Sequence, residues 1–529
     1  MKNLYTLIVI ALVGFIGNAQ IVNIPDANFK AKLLSASATN QVASTETPDS
    51  NGNVITHAKI DTNNDGQIQL SEALAITWLD ATTSSISDLT GIQSFSNLIY
   101  LSCGDNSLMN LNISTLVNLQ FLYCYNNQLS SLNTSNSPDL SVLQCGRNSI
   151  SNLNIINCLS LNDLECEANH LTTLNVPNRP NLIFLDCSQN LLTSINIIGD
   201  LSLLTFYFNN NQLQNINLNP FVNLIEISMG ANPYTSVVNL STLINLQTMF
   251  LQDLISPAVS PLTDSVMPSL VSLATLKTDG SNFGNMHYYL LPALTFLLCR
   301  NTGLTSLSTI PTTISQLVTE ANLLTTVDLT AFTSLTIFQS YNNPITSIVL
   351  GSHPGLFYLD LGKSQLTSID VSGLPALTNF NMNRCPLLTS CDVKNGLLTN
   401  FYFRYCPNLQ SICADNAAIN NIQTAIATNA ASYNGNPNCQ VTSNCQLTVE
   451  EFTNNDVVLY PNPAKNSLTI TTKQDVTISS ISIYNMLGQL VQVQTNPTES
   501  IDVSGLQSGS YFMRIASDKG SATGKFIKE

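Results

Sequence analysis

The chain has 529 residues, of which 44% are hydrophobic and only 10% charged. Single hydrophobic cores stop growing near roughly 250–300 residues, so this length requires several domains or an open-ended repeat. With 18 Lys and Arg against 33 Asp and Glu, the net charge of -15 leaves no basic stripe to neutralise phosphates or anionic lipid, which excludes nucleic acid and the membrane surface as partners.

In chain order, Met1-Lys2, an apolar run from Leu4 to Ile16 and Gly17-Asn18-Ala19 read as a secretory signal peptide over residues 1–19, cleaved before Gln20. Later apolar runs fall short of the ~18 residues of a spanning helix, so no transmembrane segment is expected. Residues 20–75 are expected to form an N-terminal cap. Within it, residues 61–72 place oxygen donors at loop positions 1, 3 and 5 (Asp61, Asn63, Asp65), Gly66 at 6, an apolar residue at 8 and Glu72 at 12. This resembles an EF-hand calcium loop. The resemblance implies side-chain oxygens from Asp61, Asn63 and Asp65, the carbonyl of Gln67 and both carboxylate oxygens of Glu72 around Ca2+. The incoming segment 54–60 is short and no second loop follows, so the ion would be structural, in the roughly 10⁻⁴–10⁻³ M class of extracellular modules.

Five cysteines, Cys103, Cys124, Cys145, Cys166 and Cys187, are spaced by 21 residues, and seven asparagines from Asn106 to Asn232 keep the same step. Leu119-x-x-Leu122-x-Cys124-x-x-Asn127-x-Leu129-x-x-Leu132 resembles the leucine-rich-repeat consensus. Each x-Leu-x-Cys unit reads as a short strand stacked in parallel on the next coil at roughly 4.8 Å. Each Asn is expected to turn inward and satisfy backbone groups. A coil of 21 residues leaves no room for a full helix on the return side, so the fold class is mainly β: a solenoid over residues 76–412 with one insertion near 255–285. Asn322, Asn343, Ser364, Cys385 and Cys406 continue the asparagine column. The ladder cysteines share a packing column with Phe208, Met229 and Leu361, so free buried thiols are expected there. Cys413, Cys439 and Cys445 fall outside the ladder, where a disulfide would staple a C-terminal cap and linker over 413–456, its partners left open.

Residues 457–529 alternate short strands and turns, the spacing of a small β-sandwich. Tyr460-Pro461-Asn462-Pro463, Tyr484-Asn485-Met486-Leu487-Gly488-Gln489, Leu506-Gln507-Ser508-Gly509-Ser510-Tyr511-Phe512 and the finish Lys525-Phe526-Ile527-Lys528-Glu529 resemble the C-terminal sorting domain of the Bacteroidetes type IX (Por) secretion system. The resemblance implies handling by the type IX secretion machinery, export across the outer membrane, removal of the module, and a secreted protein attached to the cell surface or released. Ile24-Pro25-Asp26-Ala27-Asn28-Phe29 and the repeats similarly look like Bacteroidetes surface leucine-rich-repeat proteins, distantly similar to internalins.

The chain has 4 histidines, none placed by a nucleophile motif or at the spacing of a metal-binding helix, so no enzyme is expected. The outward strand positions are richer. Tyr100, Phe121, Tyr123, Phe184 and Tyr207 share two columns with Asp163, Glu165 and Asp186, and these eight residues are the candidate ligand-binding face. They point to a binding or adhesion protein that recognises a protein or glycan on another cell or matrix. The alternative is a surface-layer or stalk component without a specific ligand, its aromatics serving only cross-strand packing. A surface hydrolase would need a cleft that these residues do not supply.

Overall fold

The computed structural model describes residues 20–529 apart from 200, 255–259, 261, 446–456, 474–475, 487, 496, 498–499 and 518–519. The signal-peptide reading, most of the expected linker and Leu487 of the sorting pattern therefore lie outside the described residues. The chain divides into two units, one ending at Ser443 and the other Asn444–Glu529.

The first unit is a solenoid whose principal sheet has 17 strands. The two-residue strand Ala43–Ser44 runs antiparallel to Trp78–Asp80, and the others stack in parallel, three residues each, from Trp78–Asp80 to Asn400–Tyr402. Alternation within each strand decides which residue enters the core: Leu101, Leu122, Leu143, Leu164 and Leu185 point inward and are fully buried. Registration follows the sequence period, so Tyr100 pairs with Phe121 and Phe121 with Val142. Trp78 to Tyr100 and Glu226 to Thr248 take 22 residues and Phe296 to Gln316 takes 20, and one step departs much further. Thr248 pairs with Thr275, a spacing of 27 residues, while Thr275 pairs with Phe296 at the regular 21. The insertion is therefore spent before residue 275, which shortens the expected range of 255–285. The return side consists of turns, 3₁₀ segments and small ladders, among them Ser131–Asn133 on Asn152–Asn154 and Thr173–Asn175 on Ser194–Asn196.

The asparagine column carries the coil-to-coil connection. Asn169 Nδ2 donates to the carbonyls of Cys145 (3.0 Å), Cys166 (3.2 Å) and Glu167 (3.2 Å), and its Oδ1 accepts from Ile150 N at 2.8 Å. Asn127, Asn148, Asn190, Asn211 and Asn232 repeat the pattern. One amide thus bonds four backbone groups as the chain turns out of the strand, one of which, the Glu167 carbonyl, also accepts from Arg147 N at 2.8 Å. The turn is tight: the residue before each Asn is left-handed, with φ of 55° at Arg147, 51° at Ala168 and 54° at Gln189. Non-glycine residues hold that conformation at a cost of about 1–2 kcal/mol, which the asparagine bonds offset. Cys103, Cys124, Cys145, Cys166 and Cys187 are fully buried and free. Burial, with Asp80 adding to it, pushes the Cys103 thiol up to about 12, so the ladder packs as protonated, unreactive groups.

At the N-terminal end, the helix Ala27–Leu34 is capped by Asp26, whose Oδ1 accepts from Asn28 N and Phe29 N, and it buries Phe29 and Leu33. At the other end, the helix Ile419–Ser432 covers the last coils with Ile422 and Ile426. No helix was expected there, although the spacing of Ile422 and Ile426 is helical. Cys413 and Cys445 are disulfide-bonded, whereas Cys439 is free and buried.

The second unit has two antiparallel sheets. One contains Val457–Tyr460, Ser467–Thr472 and Ser500–Asp502; the other contains Leu490–Thr495, Ile478–Asn485, Gly509–Ser517 and Gly520–Lys528. The basic finish is thus an edge strand whose alternate residues Ala522 and Phe526 are buried, with Phe526 stacked on Tyr511 at 5.5 Å.

Candidate functional site

The two outward columns of the principal sheet are set by its register. One runs Trp78, Tyr100, Phe121, Val142, Asp163, Phe184, Thr205, Glu226. The other runs Asp80, Ser102, Tyr123, Gln144, Glu165, Asp186, Tyr207, Ser228 over the same strands. All eight residues of the candidate face therefore lie on one sheet surface, but they fall into two different environments.

The first environment is roofed. Residues 49–57 cross the N-terminal strands, and Trp78 Nε1 donates to the carbonyl of Gly52 at 2.9 Å. Gly52 has φ of +82°, and a Cβ there would lie 3.1 Å from the Tyr100 ring and 3.4 Å from that of Phe121. Only glycine can both make this turn and approach the rings so closely. Phe121, expected to lie open on an aromatic platform, is consequently 3% exposed. Tyr100 stacks on Trp78 at 4.8 Å and 16°, and its ring centroid is 5.2 Å from that of Tyr123. Burial first, then Tyr123 and Asp80, raises the Tyr100 phenol above its usual range. Trp78 was not among the expected site residues; its signal was Ile76-x-Trp78-Leu79, one coil before Tyr100-Leu101.

The second environment is open and acidic. Asp163, Glu165 and Asp186 stand on adjacent strands, with Glu167 just beyond them. Gln144 Nε2 donates to Glu165 Oε1 at 2.9 Å, and Asp186 Oδ1 accepts from Ser188 N at 2.9 Å. Among the described residues none of these four carboxylates forms an ion pair. Burial raises the Asp163 carboxyl to about 6. Burial, followed by the charges of Asp163, Glu167 and Asp186, raises Glu165 to about 7. Phe184 meets Tyr207 edge-on at 5.6 Å, and the Tyr207 hydroxyl donates to Glu226. Lys277, which lies 4.7 Å over the Phe250 ring, is the next charged residue along these columns beyond Glu226.

The loop 61–72 closes on itself through the residues expected to hold calcium. Asp61 accepts from Asp65 N (3.2 Å) and Gly66 N (3.1 Å), Asn63 Oδ1 from Asp65 N (2.9 Å), and Asp65 Oδ1 from Gln67 N (2.8 Å). Glu72 Oε1 accepts from Thr62 N at 2.7 Å and its Oε2 from Gln69 N at 3.0 Å. With both Glu72 oxygens held by these donors, the carboxylates of Asp61, Asp65 and Glu72 do not all close to within 4.8 Å of one another. The short helix Leu70–Ala75 leaves the loop, and no helix enters it. In place of a second loop, Gln20 to Val22 pair with it: Val22 N donates to Ile68 O at 2.8 Å and Leu70 N to Gln20 O at 2.7 Å. All five candidate ligands share this one turn, and their hard oxygen donors, with Asp61 and Glu72 nearly buried, fit the chemistry of calcium.

Residues 458–529 match a family described as the secretion system C-terminal sorting domain. No curated protein matches the chain. Among solved structures, the functional domain of InlJ from Listeria monocytogenes, which includes a cysteine ladder, is 20% identical, with 96% of this chain and 98% of that one covered and a TM-score of 0.46. An internalin, InlF, from Listeria monocytogenes is 16% identical, with 76% and 99% covered and a TM-score of 0.44. YopM, a leucine-rich effector protein from Yersinia pestis, is 18% identical, with 62% and 88% covered and a TM-score of 0.45. The chain is a leucine-rich-repeat solenoid that carries a type IX sorting domain, and it is a secreted protein of the cell surface or the medium. Among the described residues no helix is long and apolar enough to cross a membrane.

Proposed function

We propose that this protein is a surface binding or adhesion protein whose open concave face recognises a protein or glycan on another cell or matrix. One observation carries the reading. Asp163, Glu165, Glu167 and Asp186 are gathered beside Phe184 and Tyr207 on a regular sheet, without an ion-pair partner among the described residues. Partly buried like charges are unfavourable in isolation and are relieved by a complementary partner. The half-buried aromatic rings of Phe184 and Tyr207 beside them supply anchor groups. The reading assigns no catalytic step.

Binding of the purified chain to protein and glycan arrays, beside a Phe184→Ser/Tyr207→Ser double variant, tests it. The inward Leu185 and Phe206 are left in place, so folding is retained while binding falls by at least about tenfold. Equal binding by the folded double variant would instead leave a surface-layer or stalk component.

The same proposal includes a structural calcium ion held by Asp61, Asn63, Asp65, the Gln67 carbonyl and Glu72, which would neutralise the carboxylates of the cap. Millimolar calcium raises the melting temperature of the parent, and Glu72→Gln removes that increment. A parent chain that melts at one temperature in calcium and in chelator overturns the site.

A further inference from the structure

Between residues 51–57 and the sheet, the roof over the N-terminal strands leaves a cavity of about 510 Å³ that is partly open to solvent. Pockets of roughly 300–1,000 Å³ accommodate small molecules rather than protein surfaces. Aromatic rings and neutral polar groups dominate its walls. Tyr100, Tyr123 and Tyr125 come from the sheet side, Asn51 and Asn53 from the roof, and Gln144 from the coil after Tyr123. Asp80 and His57 complete the polar set, and His57 Nδ1 is buried without a hydrogen-bond partner. Neither Lys nor Arg lines the cavity, so it presents no permanent positive charge to a phosphate, sulfate or carboxylate. Asp80 Oδ1 is already engaged by Thr82 N at 2.8 Å and by the Thr82 hydroxyl at 2.6 Å, which weakens its pull on a cation. Amides and phenols that both donate and accept, arranged around ring faces, match a ligand with many hydroxyls and apolar C–H faces.

We infer that this roofed cavity is a binding site for a neutral saccharide of one or two rings, held between the Tyr100 and Tyr123 rings and the amides of Asn53 and Gln144. The assignment rests on the reading of this sheet as a binding face and narrows it to one ligand class at one end. The Gly52–Trp78 hydrogen bond fixes the roof, so the site is formed before the ligand arrives.

The chain contains a single tryptophan, and it is Trp78, so its fluorescence reads this cavity directly. The full chain is titrated with glucose, galactose, mannose, N-acetylglucosamine, cellobiose, maltose, lactose and chitobiose, with choline as the cationic comparison. At least one saccharide changes Trp78 emission saturably. Tyr123→Ala and Asn53→Ala each weaken that saccharide by at least about tenfold at unchanged melting temperature. No saturable change with any saccharide, a response to choline alone, or saccharide binding indifferent to both Tyr123→Ala and Asn53→Ala would overturn the assignment. Failure of the open-face reading is separable, since it is read from the Phe184/Tyr207 variant on the arrays and not from Trp78.

Discussion

Two stretches of the same solenoid solve the same geometric problem with different chemistry. From Asn106 to Asn232 every coil turns on an asparagine that spans two coils. From Ser364 to Cys406 the same column holds Ser364, Cys385 and Cys406. There Ser364 Oγ lies 3.3 Å from Cys385 Sγ, and Cys406 Sγ reaches the Met382 carbonyl at 3.1 Å. The left-handed turn persists in both, at φ of 51° for Ala168 and 62° for Arg384. The coil shape is therefore dictated by strand stacking and core leucines, while the column residue determines how well the turn's backbone groups are satisfied. The surfaces differ in parallel. The asparagine stretch exposes Asp163, Glu165 and Asp186, whereas the later stretch lays Arg384 over Tyr405 at 4.5 Å and Arg404 over Tyr433 at 4.6 Å.

The largest expected effect breaks the comparison at its strongest rung. Asn169→Ala leaves the Cys145 and Cys166 carbonyls and the Ile150 N–H without this side-chain partner and lowers unfolding free energy by about 3 kcal/mol, whereas Ser364→Ala costs about 1 kcal/mol. Denaturant unfolding of the two variants checks this, and equal losses would mean that the column residues are interchangeable.

A smaller effect sharpens the contrast in charge. Asp163 and Glu165 have folded values of about 6 and about 7, above the usual carboxylate range, so the folded chain holds protons that the unfolded chain releases. Their contribution is fully favourable below the usual carboxylate values and declines as pH rises through about 4 to 7. The parent accordingly melts higher at pH 5 than at pH 8, and Asp163→Asn/Glu165→Gln reduces that difference. An unchanged difference in the double variant would exclude these groups as its source. Smallest of all, Arg384→Gln removes one exposed cation–ring contact, costs about 0.5 kcal/mol, and is read in the same denaturant experiment.

The repeat was legible because each of its determinants is local and periodic: Leu122, Cys124 and Asn127 recur one coil later as Leu143, Cys145 and Asn148. The membership of the outward columns followed from strand alternation alone. Their coverage did not. The roof is an aperiodic loop held by long-range bonds, Trp78 Nε1 to Gly52 O and Glu46 Oε2 from Ile55 N and Thr56 N, and nothing in residues 49–57 announces where they will lie. That is why Phe121 was expected open and Trp78 was passed over. The helix Ile419–Ser432 and the strand Gly520–Lys528 were hidden for a different reason. Each buries few residues, and their polar majority obscures the period.

The asparagine bonds also give the solenoid a direction. Asn169 reaches back to Cys145 and Ile150, 24 and 19 residues earlier, and makes no such bond forward. A coil is thus finished by the arrival of its successor, much as a course of bricks is held by the course above. Lengthening or shortening the solenoid by whole multiples of 21 residues changes the number of courses without altering any bond already laid. An asparagine in the right place lets each added course bind the carbonyls that the preceding coil has already presented.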